Sequence, residues 1–372
     1  MQRLTMKLYQ IVTFLHLLNL GLSKDLGIRF NKVAIDPRFN SSDIKLPLTS
    51  HDFPVQLETF RWLRYLIAST VVIPQSCFDC PWEFDELIDA IGGMPTYPST
   101  NEKNPFWEEL AHVSKIQKLR REGVNPTQIM PLPDIWKEKT IDDIAEAVHD
   151  QFLGIHHIEQ ITKWSKSGMV KIDFNIIPLV STVDFVRANC MIADTLTWAI
   201  AQVGKMNFGV KWHVGYPRPE EVAFLISTGK ITKGPSAELV NEIKAFNLTF
   251  ATNFTAYPEG CPRHPSWPAM HSAASAASLW LPVVLKLTPE QLCQVKLLDY
   301  SISYARTVAG VHYKIDNIAG LKLGQEILAR LLPGYLNATY GSSISRVKAK
   351  IESLRFDWET FLDSDCAKAA MN

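Results

Sequence analysis

Apolar residues in this chain recur at intervals of three and four, with little two-residue alternation, and that periodicity points to helices rather than sheets. Between 140 and 165, Ile141, Ile144, Ala145, Val148, Phe152 and Ile155 form one stripe, and Thr140 or the acids after it can cap its start. Comparable segments fall at 56–73, 84–92, 105–122, 181–206, 218–229, 236–247, 270–285, 289–309, 315–332 and 343–363. Pro and Gly punctuate the breaks at 126–133, 215–219, 260–268 and 333–334. The expectation is an all-α fold of helical bundles. Residues 55–372 form a single domain, 24–54 an extended polar arm, and 181–332 the catalytic bundle.

The C-terminal half concentrates residues suited to an oxyanion. Lys211 and Arg218 lie in Lys-Trp-His-Val-Gly-Tyr-Pro-Arg-Pro, and His264 and His271 bound His-Pro-Ser-Trp-Pro-Ala-Met-His. Arg306, His312 and Asp316 lie in Arg-Thr-Val-Ala-Gly-Val-His-Tyr-Lys-Ile-Asp. The arginines offer planar forks that match a multi-oxygen anion, and Lys211 offers a point charge. His312 and Asp316, four residues apart, are expected on one helix face, where the carboxylate fixes the imidazole tautomer. His271 is the expected general acid or base. Both motif loops lead into expected helix starts, which favour anions.

The spacings Lys-x6-Arg-Pro and Arg-x5-His-x3-Asp resemble the signature shared by vanadium-dependent haloperoxidases and type 2 phosphatidic acid phosphatases. The resemblance covers about Phe208 to Gln325. His264-Pro-Ser-Trp-Pro and Arg306-Thr-Val-Ala-Gly-Val-His312-Tyr look most like the algal bromoperoxidases. The resemblance implies one vanadate on His312, held by Lys211, Arg218, Met270 N–H, Arg306 and, behind His312, Asp316. It implies catalysis by His271 and Lys211, with His264 beside the cofactor favouring bromide or iodide. Hydrogen peroxide, halide and a small organic acceptor would be the partners, and homo-oligomers are common in the family. The same residues would serve an acid phosphatase, with His312 attacking phosphorus and His271 protonating the leaving alcohol. One departure matters. Where the family has Ser-Gly before its histidine, this chain has Ala269-Met270. Ala269 lacks a hydroxyl worth about 1.5–3 kcal/mol against a charged oxygen, and Met270 can donate its N–H only where the backbone does not require glycine. A catalytically impaired relative is therefore a third expectation.

Net charge is zero, which removes the basic footprint of nucleic-acid binding. Residues 1–23 read as a secretory signal, with Arg3 and Lys7 before an apolar run. Sequons at Asn40, Asn247, Asn253 and Asn337 agree with secretion. The six cysteines (77, 80, 190, 261, 293 and 366) can pair in such a compartment, in a pattern the sequence does not fix. No stretch reaches the apolar length of a membrane span, and the longest, 179–203, carries Asp184, Arg187 and Asp194. A rival chemistry rests on Glu109-x-x-His112 and Glu146-x-x-His149, spaced like di-iron ligands. Trp212 is expected to shape the pocket behind Lys211, and Trp267 to line a halide or substrate entrance.

Overall fold

A computed structural model describes residues 84–149, 154–166, 171–178, 185–258, 260–262 and 264–371. The signal segment, the arm, the helix expected at 56–73, Asn40, Cys77 and Cys80 lie outside the described residues. Among these residues the protein is all-α: α1 (Phe84–Ala90), α2 (Pro105–Arg121), α3 (Ile141–Ala147), α4 (Ile155–Lys166), α5 (Phe185–Val214), α6 (Pro219–Ser227), α7 (Ala237–Ala245), α8 (Met270–Ala274), α9 (Ala277–Val284), α10 (Pro289–Val308), α11 (Lys314–Tyr340), α12 (Ile344–Leu354) and α13 (Asp365–Met371). Extended pairing among them is limited to one isolated bridge, Ile172 with Leu285.

Local chemistry explains most boundaries. Asn104 caps α2 by accepting from Phe106 N–H, and Pro105 takes the first helical position, where a missing N–H costs nothing. Thr288 and Gln291 cap α10 reciprocally, again with a proline first. Thr140 caps α3 with Asp143. Gly341, at φ 67°, closes α11 in a left-handed conformation that costs a side chain energy. Four expectations fail here. The helix expected at 140–165 ends at Ala147, and α4 starts only at Ile155. The helix expected at 270–285 is two helices, because Ser275 and Ala276 leave helical geometry. The break expected at Pro333-Gly334 lies inside α11, whose packing outweighs the lost bond. The expected 343–363 helix ends at Leu354 and resumes as a 3-10 turn over Trp358–Asp363.

The long helix α11 is the axis of the bundle, packed against α5, α8, α9, α10 and α12. The short α8 lies closest to it. An ideal Cβ on Gly320 would stand 2.4 Å from Ala269 O, and one on Gly324 would stand 2.1 Å from Ala273 O. Bare glycines on one face of α11 therefore let the α8 backbone approach, which places the His271 loop against the start of α11. The apolar interior divides into two clusters. One joins α5, α9, α11 and α12, and the other joins α3, α10 and the Trp358–Phe361 turn. Cys293 and Cys366 form a disulfide that ties α10 to α13. Cys261 is a buried free thiol, so a fully paired set of cysteines is corrected. No described helix is long and apolar enough to cross a membrane.

Candidate functional site

The three motifs meet at the N-terminal end of α11. Lys211 sits on the last turn of α5, and Gly215, at φ 68°, reverses the chain so that Arg218 becomes the residue preceding α6. Arg306 lies on the last turn of α10, His312 in the following loop, and Asp316 in the first turn of α11. The 264–269 loop, with a cis Trp267–Pro268 bond, crosses beneath them. Lys211, Arg218, Arg306, His312 and Asp316 are all buried, whereas His264 and His271 are half-buried.

His312 and Asp316 pair as expected, Nδ1 to Oδ2 at 2.9 Å, but for a different reason. His312 precedes the helix, so the two do not share a helix face. Asp316 reaches back to cap Tyr313 N–H at 3.0 Å, and the same oxygen receives His312 Nδ1–H and the Ser266 hydroxyl. The other imidazole nitrogen, Nε2, accepts from Arg218 Nη1 at 3.0 Å. These two bonds fix the tautomer: the proton is on Nδ1 and the lone pair on Nε2. Motif spacing does not single out Ser266 as a site residue, although it lies within the His-Pro-Ser-Trp-Pro string.

Arg218 is more tightly held than an anion clamp needs to be. Nε donates to His264 O at 2.9 Å, Nη1 to Val311 O at 2.7 Å and to His312 Nε2, and Nη2 to His264 Nδ1 at 3.0 Å and Pro265 O at 3.4 Å. A guanidinium has five N–H donors, so every one is engaged within the protein. Lys211 Nζ donates to Pro265 O at 2.9 Å and Ser266 O at 2.6 Å. Arg306 Nη1 donates to Val148 O and, at 3.0 Å, to Tyr257 Oη, while its buried Nε has no partner. Tyr257 in turn donates to Ala145 O and stacks on the His149 ring, with centroids 4.0 Å apart. The end of α3 thus reaches the site, a contact that the sequence pattern does not announce.

Burial and neighbouring cations set the protonation states. Burial, then the charge of Arg218, holds Lys211 well below the ordinary lysine range. His312 is pushed well below the usual histidine value by burial and then by Arg218, Lys211 and Arg306. Burial and the same three cations, with Arg306 foremost, do the same to His271. His264 follows, from burial and then Arg218. All three imidazoles are therefore neutral near pH 7. The acids shift the opposite way. Burial pushes Asp316, Glu220 and Glu221 each up to about 7. In Asp316 the donors on Oδ2, above all Ser266, and the Lys211 charge pull against that rise.

The other residues expected at the site divide. Met270 opens α8, and its φ is not positive, so the backbone there does not require glycine. Yet α8 has only five residues and Ala269 offers no side-chain cap, so the expected helix-start anion site there is corrected. The start of α6 is corrected as well. Pro219 has no N–H, and Glu220 and Glu221 already place acids in its first turn. Trp267 is buried and borders a separate cavity of about 460 Å³, shared with Phe106, Ile315 and Ala319. The Trp212 side chain lies outside the described residues. The Glu-x-x-His pairs do not converge. Glu109 accepts from Ile315 N–H, His112 bonds Tyr304 Oη at 2.8 Å, and no group of three metal-ligating side chains occurs among the described residues.

The donor set suits an oxyanion. Three buried cations stand against acids whose titration points are raised to about 7, and burying such charge is costly unless it is matched. A tetrahedral oxyanion would match it, and the unpartnered Arg306 Nε supplies a donor for it. A scan against protein-family models and a search of curated proteins return no match for this chain.

Proposed function

We propose that the chain is a vanadate-dependent haloperoxidase, which oxidises bromide or iodide with hydrogen peroxide to a hypohalous species, on a helical bundle of the vanadium haloperoxidase and acid phosphatase type. The observation that carries this reading is the environment of His312 Nε2. Its lone pair is defined by the Nδ1–H bond to Asp316 and lies among Lys211, Arg218 and Arg306.

His312 would hold vanadate through Nε2, with Arg218, Arg306 and Lys211 matching its oxygens. When bound, vanadate supplies the Lewis acidity that activates peroxide towards halide. The protein residues supply the rest. Asp316 keeps the His312 lone pair on Nε2. His271, neutral near pH 7, accepts a proton from incoming peroxide. Lys211, held by two carbonyls, keeps its amine donors at a fixed place. His264 is buttressed by Arg218 and meets the Phe208 ring edge-on, centroids 5.1 Å apart, which sets an apolar ring beside the imidazole.

A specific observation favours a second reading. The full engagement of Arg218, together with the missing hydroxyl at Ala269, fits a catalytically impaired member of the same superfamily. For an anion to reach Nε2, Arg218 Nη1 must release it. The discriminating experiment follows bromination of a 1,3-diketone dye with peroxide and bromide, with and without orthovanadate, beside hydrolysis of p-nitrophenyl phosphate. Vanadate-dependent bromination is the expected result. Hydrolysis inhibited by vanadate, without bromination, would replace the proposal with a phosphatase acting through phospho-His312. Inactivity in both, with iodide also tested, would leave the impaired reading.

A further inference from the structure

Met270 occupies a place where a chain that makes an oxidant would be expected to keep an inert residue. It directly precedes His271 at the start of α8. Its side chain is received by α5. An ideal Cβ on Gly204 would stand 3.0 Å from Met270 Cε and 4.0 Å from Sδ, so the bare glycine makes the room. Gly204, Asn207 and Lys211 lie at i, i+3 and i+7, on one face of α5. That face holds the loop and the start of α8 at several points. Lys211 holds Pro265 and Ser266, Asn207 Nδ2 bonds Pro268 O at 3.3 Å, and Gly204 seats Met270. The thioether thus packs on the α5 face that carries Lys211, about two helical turns from it. Met270 retains 9% exposure, against 0%, 1% and 2% for Met130, Met191 and Met206. Met94 and Met371 are far more open, at 53% and 38%.

We propose that Met270 is a modification site, oxidised ahead of the more exposed Met94 and Met371 by the hypobromous acid that the site itself releases; the inference rests on the haloperoxidase reading. The step balances. The thioether sulfur attacks bromine, the Br–O bond breaks, and water delivers oxygen to sulfur. One methionine and one hypobromous acid give one sulfoxide, one bromide and one proton. Sulfur loses two electrons and bromine gains them. The product is polar and bulkier at sulfur, in a buried seat against Gly204 that an apolar thioether fills. Oxidation therefore shifts the His271 loop and limits the number of turnovers.

Exposure and proximity to the source predict opposite orders of oxidation, so the two are separable. The holoprotein is run with orthovanadate, bromide and peroxide, and sulfoxides at Met270, Met94 and Met371 are measured by peptide mass spectrometry. Parallel samples receive reagent hypobromous acid alone or peroxide without bromide. The expected result is Met270 sulfoxide ahead of Met94 during turnover, Met94 and Met371 ahead of Met270 with the reagent, and little oxidation with peroxide alone. Met270→Leu, normalised to its own initial rate, should lose activity more slowly per turnover. Dye bromination with Met94 oxidised first would overturn this inference alone. Absence of bromination would overturn the haloperoxidase reading and this inference with it.

Discussion

Replacing Ser266 with Ala tests how the protein holds Asp316. The Ser266 hydroxyl donates to Asp316 Oδ2, and both residues are buried. A hydrogen bond to a charged group is worth about 1.5–3 kcal/mol, against about 0.5–1.5 kcal/mol for a neutral pair. Loss of the donor therefore costs about 1 kcal/mol more when Asp316 is ionised than when it is protonated. That difference moves the carboxyl upward by a little under one pH unit, from its value of about 7. A carboxyl raised in the folded state contributes stability that is complete below the ordinary carboxylate range and is lost as pH rises through the folded value. In the variant that loss continues to higher pH. Urea unfolding of both proteins at about pH 5.5 and about pH 9 should show the Ser266→Ala cost growing by about 1 kcal/mol at the higher pH. A cost equal at the two pH values, or smaller at the higher one, would refute the argument that this hydroxyl steadies the Asp316 carboxylate.

Other consequences are equally open to measurement. Gly324→Ala should destabilise by about 1–3 kcal/mol in urea, because its Cβ meets the Ala273 backbone carbonyl, and should cost more than Gly204→Ala, which meets only a flexible methionine tip. The reverse ranking would contradict the close approach of α8 to α11. Removing the Cys293–Cys366 bridge by paired serine substitutions opens a loop of sequence separation 73, which chain entropy values at about 4 kcal/mol. An unchanged unfolding midpoint would contradict this chain-entropy value. His312→Ala should abolish whichever activity the dye and phosphate assays detect, and full retention would remove the site assignment.

The helical fold is legible in the sequence because its causes are local. The Thr140–Asp143 cap, the Thr288–Gln291 cap and the Asn104-Pro105 start each act within a few residues. The ends that differ from expectation depend on distant contacts, as with α11 running on through Pro333. The site shows the same division. Spacing identifies Lys211, Arg218, His264, His271, Arg306, His312 and Asp316, and the fold brings their elements together. It cannot reveal that Arg218 spends its whole fork on His264, Pro265, Val311 and His312, because those acceptors are backbone carbonyls and imidazoles placed by the loop path. Nor can it tie α3 to Arg306, since Val148 acts through its carbonyl and Tyr257 lies far away in sequence. The two Glu-x-x-His strings show the opposite error: Glu109 and His112 turn to separate partners, Glu146 and His149 meet each other at 3.4 Å, and the two pairs do not converge.

The central claim is that the cations around His312 form an oxyanion site. Equilibrium dialysis of orthovanadate against the purified protein, with His312→Ala and Arg306→Leu beside it, tests this most directly. The account predicts one vanadate per chain, displaced by phosphate and lost in the His312 variant, with weaker binding in the Arg306 variant. Absence of binding, or binding indifferent to His312, would contradict it.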